Sequence, residues 1–173
     1  SLSRLENQTI ITDQEDFRVD EQIRWIILRA ESAWSAKNLV LEPELDKITW
    51  YGNQELTSHI WSNLIDNAIK FTPAGGEITI KASMDEEWLT VSVQDSGIGI
   101  PPDIQSRIFD KFYQGDTSHK KKGNGLGLAL VHQIVTLYGG HITLESIPDL
   151  GSTFTVCLPA HPSSELESSL PLP

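Results

Sequence analysis

Two runs in the middle of the chain, 77–84 and 88–95, alternate apolar and polar side chains. Ile78, Ile80 and Ala82 share one face of the first, and Leu89, Val91 and Val93 share one face of the second. Such alternation predicts two strands with one buried side each. The intervening residues 84–87 join them as a hairpin turn. A hairpin with an apolar face must cover it with another layer of structure. Three segments can supply that layer. A helix is predicted over 20–36, with Ile23, Ile26, Ile27 and Ala30 as its stripe and Asp20 placed to cap it. A second is predicted over 54–71, stopped by Thr72-Pro73 and Gly75-Gly76. A third is predicted over 126–138, closed by Gly139-Gly140. Further strands are predicted over 38–41, 48–51, 141–146 and 152–158. Strands thus come in adjacent pairs between helices. That order predicts a two-layer α/β (α+β) sandwich, with a mixed, mostly antiparallel sheet packed on helices, and not a doubly wound parallel sheet.

With 173 residues, 39% of them hydrophobic, the chain can build a real core. Residues 17–158 are expected to form one domain, preceded by a polar linker over 1–16 and followed by a flexible Pro- and Ser-rich tail over 159–173. A net charge of -11 argues against a nucleic-acid-binding surface. Binding an anion then requires cations gathered locally, and Lys120, Lys121 and Lys122 are one such group. The lone Cys157 excludes an intrachain disulfide framework, and its apolar setting predicts a structural thiol. No apolar run approaches the roughly 20 residues of a membrane span, so the chain itself is not expected to insert in a membrane.

Chemistry concentrates in three places. On the helix predicted over 54–71, a step of about 100° per residue puts His59, Asn63, Asn67 and Lys70 on one side, beside the apolar face of Ile60, Leu64, Ala68 and Phe71. Ser62 and Asp66 point away, toward solvent. Asparagine is a poor helix former, so two of them four residues apart suggest a task. An amide oxygen can hold Mg²⁺ while substrate phosphates supply the charge, and Lys70 can meet a phosphate. The plainer alternative is a pair of surface asparagines bonded to their own helix.

The second place is Asp95, which shares a strand face with Leu89, Val91 and Val93 and so ends an apolar stripe. A carboxylate there needs hydrogen-bond donors, and a ligand's exocyclic amine is one candidate. Gly97 and Gly99 let a flat ring approach the backbone. Alternatively, Asp95 only closes a turn. The third place is Gly123-Asn124-Gly125-Leu126-Gly127-Leu128, just before a helix, where backbone amides favour anions. It is not a dinucleotide fingerprint, because Leu128 stands where the third glycine would be and no strand leads into it. No phosphate-loop motif or HRD and DFG signature occurs. The lysines before it can equally form a solvated basic turn. Between the second and third places, residues 96–124 form the long, loop-rich kind of segment that tends to be functional.

The order of these pieces carries a resemblance. Asn63-Leu64-Ile65-Asp66-Asn67-Ala68-Ile69-Lys70-Phe71-Thr72 resembles the N box of sensor histidine kinases. Asp95-Ser96-Gly97-Ile98-Gly99-Ile100 is similar to their G1 box, Phe109-Asp110-Lys111-Phe112-Tyr113 to the F box, Gly123 to Leu128 to the G2 box, and Gly151-Ser152-Thr153-Phe154 to the G3 segment. All five follow the family's order and cover the chain from about Asp20 to Leu158. The resemblance implies the Bergerat-type ATP-binding fold of the GHKL superfamily, with ATP and Mg²⁺ bound. It implies that Asp95 receives the adenine amino group, that Gly97, Gly99 and Ile100 shape the adenine pocket, and that Asn67 holds Mg²⁺ with Asn63 nearby. Lys70 would contact phosphate. Gly123, Gly125, Leu126, Gly127 and Leu128 would hold phosphates through the backbone. Residues from about 97 to 124 would form an ATP lid anchored by Phe109 and Phe112. Many family members carry Arg after the F-box aromatic pair, whereas this chain has Gln114; Lys111 or the lysine run is expected to supply that cation.

The resemblance also implies partners: a histidine phosphoacceptor on a dimerisation domain, and a response regulator. The five histidines here are followed by Ile60, Lys120, Gln133, Ile142 and Pro162, none acidic as an acceptor's neighbour would be. The acceptor is therefore expected elsewhere, residues 1–6 resembling the end of the dimerisation helix. The parent is expected to be membrane-anchored, with this domain cytoplasmic. Two other readings stay open: a related ATPase of the same fold, such as an anti-sigma-factor serine kinase or chaperone-like ATPase, and a nucleotide-sensing module without transfer activity.

Overall fold

The computed structural model describes residues 11–110 and 127–162. Its elements run β1 (Glu15–Arg18), α1 (Val19–Arg29), α2 (Glu31–Ala36), β2 (Val40–Leu45), β3 (Thr49–Gly52), α3 (Gln54–Phe71), β4 (Glu77–Met84), β5 (Trp88–Asp95), α4 (Gly127–Leu137), β6 (His141–Ile147) and β7 (Gly151–Pro159), with a 3-10 turn at Gln105–Arg107. The alternating runs pair as the expected antiparallel hairpin, Ile80 opposite Val93 and Ala82 opposite Val91. The hairpin lies inside a five-stranded sheet of order β2-β4-β5-β7-β6, in which only β2 and β4 are parallel. β1 and β3 form a separate antiparallel pair. This is the mixed, mostly antiparallel two-layer sandwich that the sequence predicts.

The layers meet where the alternation says they must. Ile78, Ile80, Leu89, Val91, Val156 and Leu158 of the sheet are buried in one core with Ile60, Leu64 and Ile65 of α3 and Val131 and Ile134 of α4. Fully burying each such side chain contributes about 1.5–3 kcal/mol before entropy is counted. α3 is fixed at both ends. Asn53 Oδ1 accepts from the Leu56 N–H at 2.9 Å, the N-cap bond that satisfies one orphan donor. At the other end Thr72 turns extended before Pro73, and Lys37 Nζ donates to the Ile69 and Lys70 carbonyls at 2.7 and 3.3 Å. Tyr138 Oη accepts from the Asn53 N–H at 2.9 Å, and burial pushes the phenol pKa up to about 12.

Four local expectations are corrected. The helix predicted over 20–36 is two helices, α1 and α2, meeting at Ala30. The Trp34 indole N–H donates to the Ile27 carbonyl at 3.0 Å, taking the acceptor that the Glu31 amide would use in a continuous helix. The strand predicted over 38–41 runs instead from Val40 to Leu45, through Pro43. Proline is tolerated because β2 pairs on one side only, at the sheet edge. Asp20 makes no side-chain cap. It is buried, and its carboxylate accepts from Arg18 Nε and Nη2 at 2.8 and 2.6 Å, Arg24 Nη1 at 3.1 Å and the Ile48 N–H at 3.1 Å. It therefore ties α1 to the chain entering β3. The strand β1 begins at Glu15, within the residues 1–16 expected to be linker, and runs on into the domain.

The Arg18 guanidinium holds the Asp20 carboxyl well below the usual carboxylate range. Its stabilisation is full above the unfolded-state pKa of about 3.9 and is lost as pH falls from there through the depressed folded value. Asp20→Ala is expected to cost about 2 kcal/mol at neutral pH, because the Ile48 amide loses its acceptor and the half-exposed Arg18 and Arg24 keep only Glu21 and solvent. Acid titration of the melting temperature should fall more steeply for the unmodified chain than for the variant. Parallel curves, or a loss under about 1 kcal/mol, would reject this account.

Candidate functional site

Strand register decides what surrounds Asp95. Asp95 lies opposite Ile78 on β4 and Ser152 on β7, and Ser152 lies opposite Ser146 on β6. Opposed residues point to the same face. Asp95, Ser152 and Ser146 therefore make a polar row across the end of an apolar sheet face. Asp95 Oδ1 accepts from the Gly97 N–H at 2.8 Å and the Ser152 N–H at 3.3 Å. Asp95 does close a turn, as the plainer alternative holds, but that turn uses Oδ1. Oδ2 receives no donor among the described residues. Burial pushes the carboxyl pKa up, against the two amides, which pull it down.

The loop after Asp95 is wedged between two neighbours. A Cβ at Gly97 would run into the Phe71 carbonyl and lie 2.8 Å from Asp95 Oδ1. Gly99 has φ +70, and a Cβ there would meet the Ile147 carbonyl. Side chains are thus excluded where the loop crosses the end of α3 and the β6–β7 turn. Ile98 reinforces both crossings: its N–H donates to the Phe71 carbonyl at 3.3 Å, and its carbonyl accepts from the Asp149 N–H at 2.7 Å. Ile100 is half-buried and packs against the core.

α3 delivers the polar stripe to the same end. Asn63, Asn67 and Lys70 are half-buried, at the border of the buried Ile60, Leu64 and Ala68. Asn63 Nδ2 donates to the His59 carbonyl at 2.7 Å, the local bond expected of a helix-surface asparagine. Asn67 forms no such bond among the described residues. Lys70 Nζ sits 5.5 Å from the Phe71 ring centroid. His59 and Asp66 are exposed. A Cβ at Gly127 would lie 2.9 Å from Asn63 Oδ1, so the start of α4 adjoins the stripe. Leu128 packs against the core. Phe109 does likewise, 6.4 Å from the Phe154 ring and 5.4 Å from the His132 ring, centroid to centroid. Lys111, Phe112, Gly123, Gly125 and Leu126 lie outside the described residues, as do Lys120, Lys121, Lys122 and Gln114. Cys157 is half-buried.

The arrangement can accept a flat base bearing an amino group at Asp95 and an anionic tail running toward Asn63, Asn67 and the first turn of α4. Sequence reasoning gave no role to Ser146 or Ser152. The G3-like segment contained Ser152, but only the β5–β7–β6 register sets both hydroxyls beside Asp95.

The chain is similar to a known family and to several known proteins. Residues 52–162 match the family described as histidine kinase-, DNA gyrase B-, and HSP90-like ATPase. The chain is 34% identical over 155 residues to the heme sensor protein HssS of Staphylococcus saprophyticus, covering 90% of this chain and 33% of that protein. It is 36% identical over 162 residues to the sensor histidine kinase RppB of Synechocystis sp., covering 91% and 36%. The chain thus spans about a third of the length of these curated relatives. Among solved structures, the catalytic domain of the histidine kinase ThkA superposes with a TM-score of 0.77 at 27% identity, covering 87% of this chain and all of that one. Full-length ShkA in complex with AMPPNP gives 0.83 at 25% identity, covering 94% and 34%.

The raised Asp95 pKa carries a stability consequence. A carboxyl whose folded pKa lies above its unfolded value stabilises below the unfolded pKa and loses that contribution as pH rises through the folded one. Ionising this partly desolvated group therefore costs the folded chain stability. Asp95→Asn keeps an oxygen for the two amides and removes the charge. Its melting temperature at neutral pH should equal or exceed that of the unmodified chain, with the difference shrinking near pH 3 to 4. A clear drop at neutral pH would mean that the carboxylate is structural.

Proposed function

Since the chain belongs to the histidine kinase-, DNA gyrase B-, and HSP90-like ATPase family, as an ATP-binding catalytic domain of the sensor histidine kinase type, we propose that it passes the ATP γ-phosphoryl group to a histidine on a separate dimerisation domain, for onward transfer to a response regulator. The observation that carries the site is Asp95, whose Oδ1 is held by two backbone amides while Oδ2 has no donor among the described residues. Oδ2 accepts the adenine amino group. Gly97 and Gly99 keep the ring's edge clear, with Ile100 beside it. The triphosphate extends toward Asn63, Asn67 and Lys70 and toward the amides of Gly127 and Leu128, where the α4 dipole favours anions. By the family resemblance, Gly123, Gly125 and Leu126 would add backbone amides to that cradle, Phe112 would anchor the lid with Phe109, and Lys111 or the run Lys120 to Lys122 would supply the cation that Gln114 does not.

Mg²⁺ fits the donors present. Among the described residues no group of three or more His, Cys, Asp or Glu side chains is placed to hold a metal. The Asn67 oxygen is a neutral hard donor, so an ion there draws its charge balance from phosphate oxygens. Bound Mg²⁺ supplies neutralisation of phosphate charge. The chain's own part is positioning: the carboxylate fixes the base, the amides fix the phosphates, and the γ-phosphoryl is presented in line to the partner's imidazole. The P–N bond forms as the bond to the β-phosphate oxygen breaks, and ADP leaves with the electron pair. No described helix is long and apolar enough to cross a membrane. We place the domain on the cytoplasmic side of a parent anchored through other sequence.

Calorimetry with an ATP analogue and Mg²⁺ tests the site. Asp95→Asn should weaken binding by about a hundredfold, because its amide N–H₂ would face the adenine N–H₂ donor to donor. Asn67→Ala should weaken binding and make it insensitive to Mg²⁺ removal. With labelled ATP the chain alone should form little phosphohistidine, and addition of the parent's dimerisation domain should produce it. Unchanged analogue binding by Asp95→Asn would remove Asp95 from the site.

A further inference from the structure

One hydroxyl beside the base site has no part in the reading above. Ser146 Oγ accepts from the Ile100 N–H at 2.7 Å. It lies 3.1 Å from the Gly151 carbonyl oxygen and 2.8 Å from Ser152 Oγ. A hydroxyl has one proton and two lone pairs. The Gly151 oxygen can only accept, so the Ser146 proton goes there. The Ile100 amide fills one lone pair, and only the Ser152 proton can fill the other. The reverse order, with Ser146 donating to Ser152, would set the Gly151 carbonyl against a hydroxyl lone pair at 3.1 Å. Ser146 is then saturated, and Ser152 has spent its proton. What Ser152 keeps is acceptor capacity, next to a carboxylate that is acceptor-only when ionised.

The same hydroxyl joins three segments. It belongs to β6, bonds the first residues of β7, and holds the Ile100 peptide from its N–H side. The Ile100 carbonyl accepts from Gln105 Nε2 at 2.9 Å. Gln105 opens the 3-10 turn that leads to Phe109. The base end of the site and the root of the expected lid are thus tied through one residue, Ile100.

Building on the ATP-binding reading, we propose that Ser146 is a positioning residue for base selection. By taking the Ser152 proton it makes the Asp95–Ser152 end of the pocket accept only. A purine that presents an amino group there is favoured over one that presents a carbonyl oxygen, as guanine does.

The test is competition calorimetry with ATP and GTP analogues on the unmodified chain, Ser146→Ala, Ser146→Thr and Asp95→Asn. Ser146→Ala should lower the ATP-over-GTP affinity ratio by roughly tenfold, as expected when one oriented hydrogen-bonding group is lost, and Ser146→Thr should restore it. A merely structural role would weaken both nucleotides alike and leave the ratio unchanged, which overturns the proposal. If Ser146→Ala does not fold, Ser152→Ala decides: a falling ratio supports the assignment and an unchanged one overturns it. Binding that Asp95→Asn abolishes, with an unchanged ratio in Ser146→Ala, removes this inference alone. Failure of the unmodified chain to bind either analogue removes the nucleotide reading and this inference with it.

Discussion

The rest of the site depends on how a carboxylate is held at the edge of a buried sheet face. Among the described residues, Asp20 on α1 and Asp95 at the end of β5 are held in opposite ways. Asp20 meets two guanidiniums and a backbone amide, so both of its oxygens are occupied and its pKa is driven down. It is a structural tie that leaves nothing for a ligand. Asp95 meets two amides on one oxygen, and desolvation outweighs them. An incompletely satisfied charge at this depth is costly to the folded state, and a ligand that donates a hydrogen bond relieves the cost. In the proposed site, those unfavourable electrostatics would become selectivity for a hydrogen-bond donor at Asp95.

α3 connects that carboxylate to the phosphate end. Its capped start and bonded end fix its rotation against the sheet, and its rotation puts Asn63, Asn67 and Lys70 at the border between core and solvent. The loop after Asp95 then docks on the last carbonyl of the same helix, through Ile98 and the missing Cβ of Gly97. In the proposed site, base recognition and phosphate recognition would thus be referred to one helix. A shift of α3 moves both, and loop conformation alone cannot separate them.

Much of this was legible in the chain itself. Alternation at Ile78–Ala82 and Leu89–Val93 fixed which faces are buried, because side-chain direction in a strand has period two. Helical periodicity placed the asparagines on one stripe for the same local reason. Less legible were features set by distant partners. Trp34 breaks a helix that periodicity would continue, since its indole reaches back to the Ile27 carbonyl. Asp20 looked like a cap, and only burial against Arg18, Arg24 and Ile48 shows it to be a buried tie.

Sequence by itself therefore determined the layers, the stripe and the order of the glycine-rich segments, all of which follow from the local geometry of helices and strands. Only the tertiary structure decided the row Asp95–Ser152–Ser146. Those residues lie 57 and 6 positions apart along the chain. Their contact exists because β5, β7 and β6 pair in one register, and a shift of one residue would turn that row to the other face. The direction of each hydroxyl proton is likewise set by the full count of donors and acceptors around it, which no single segment contains.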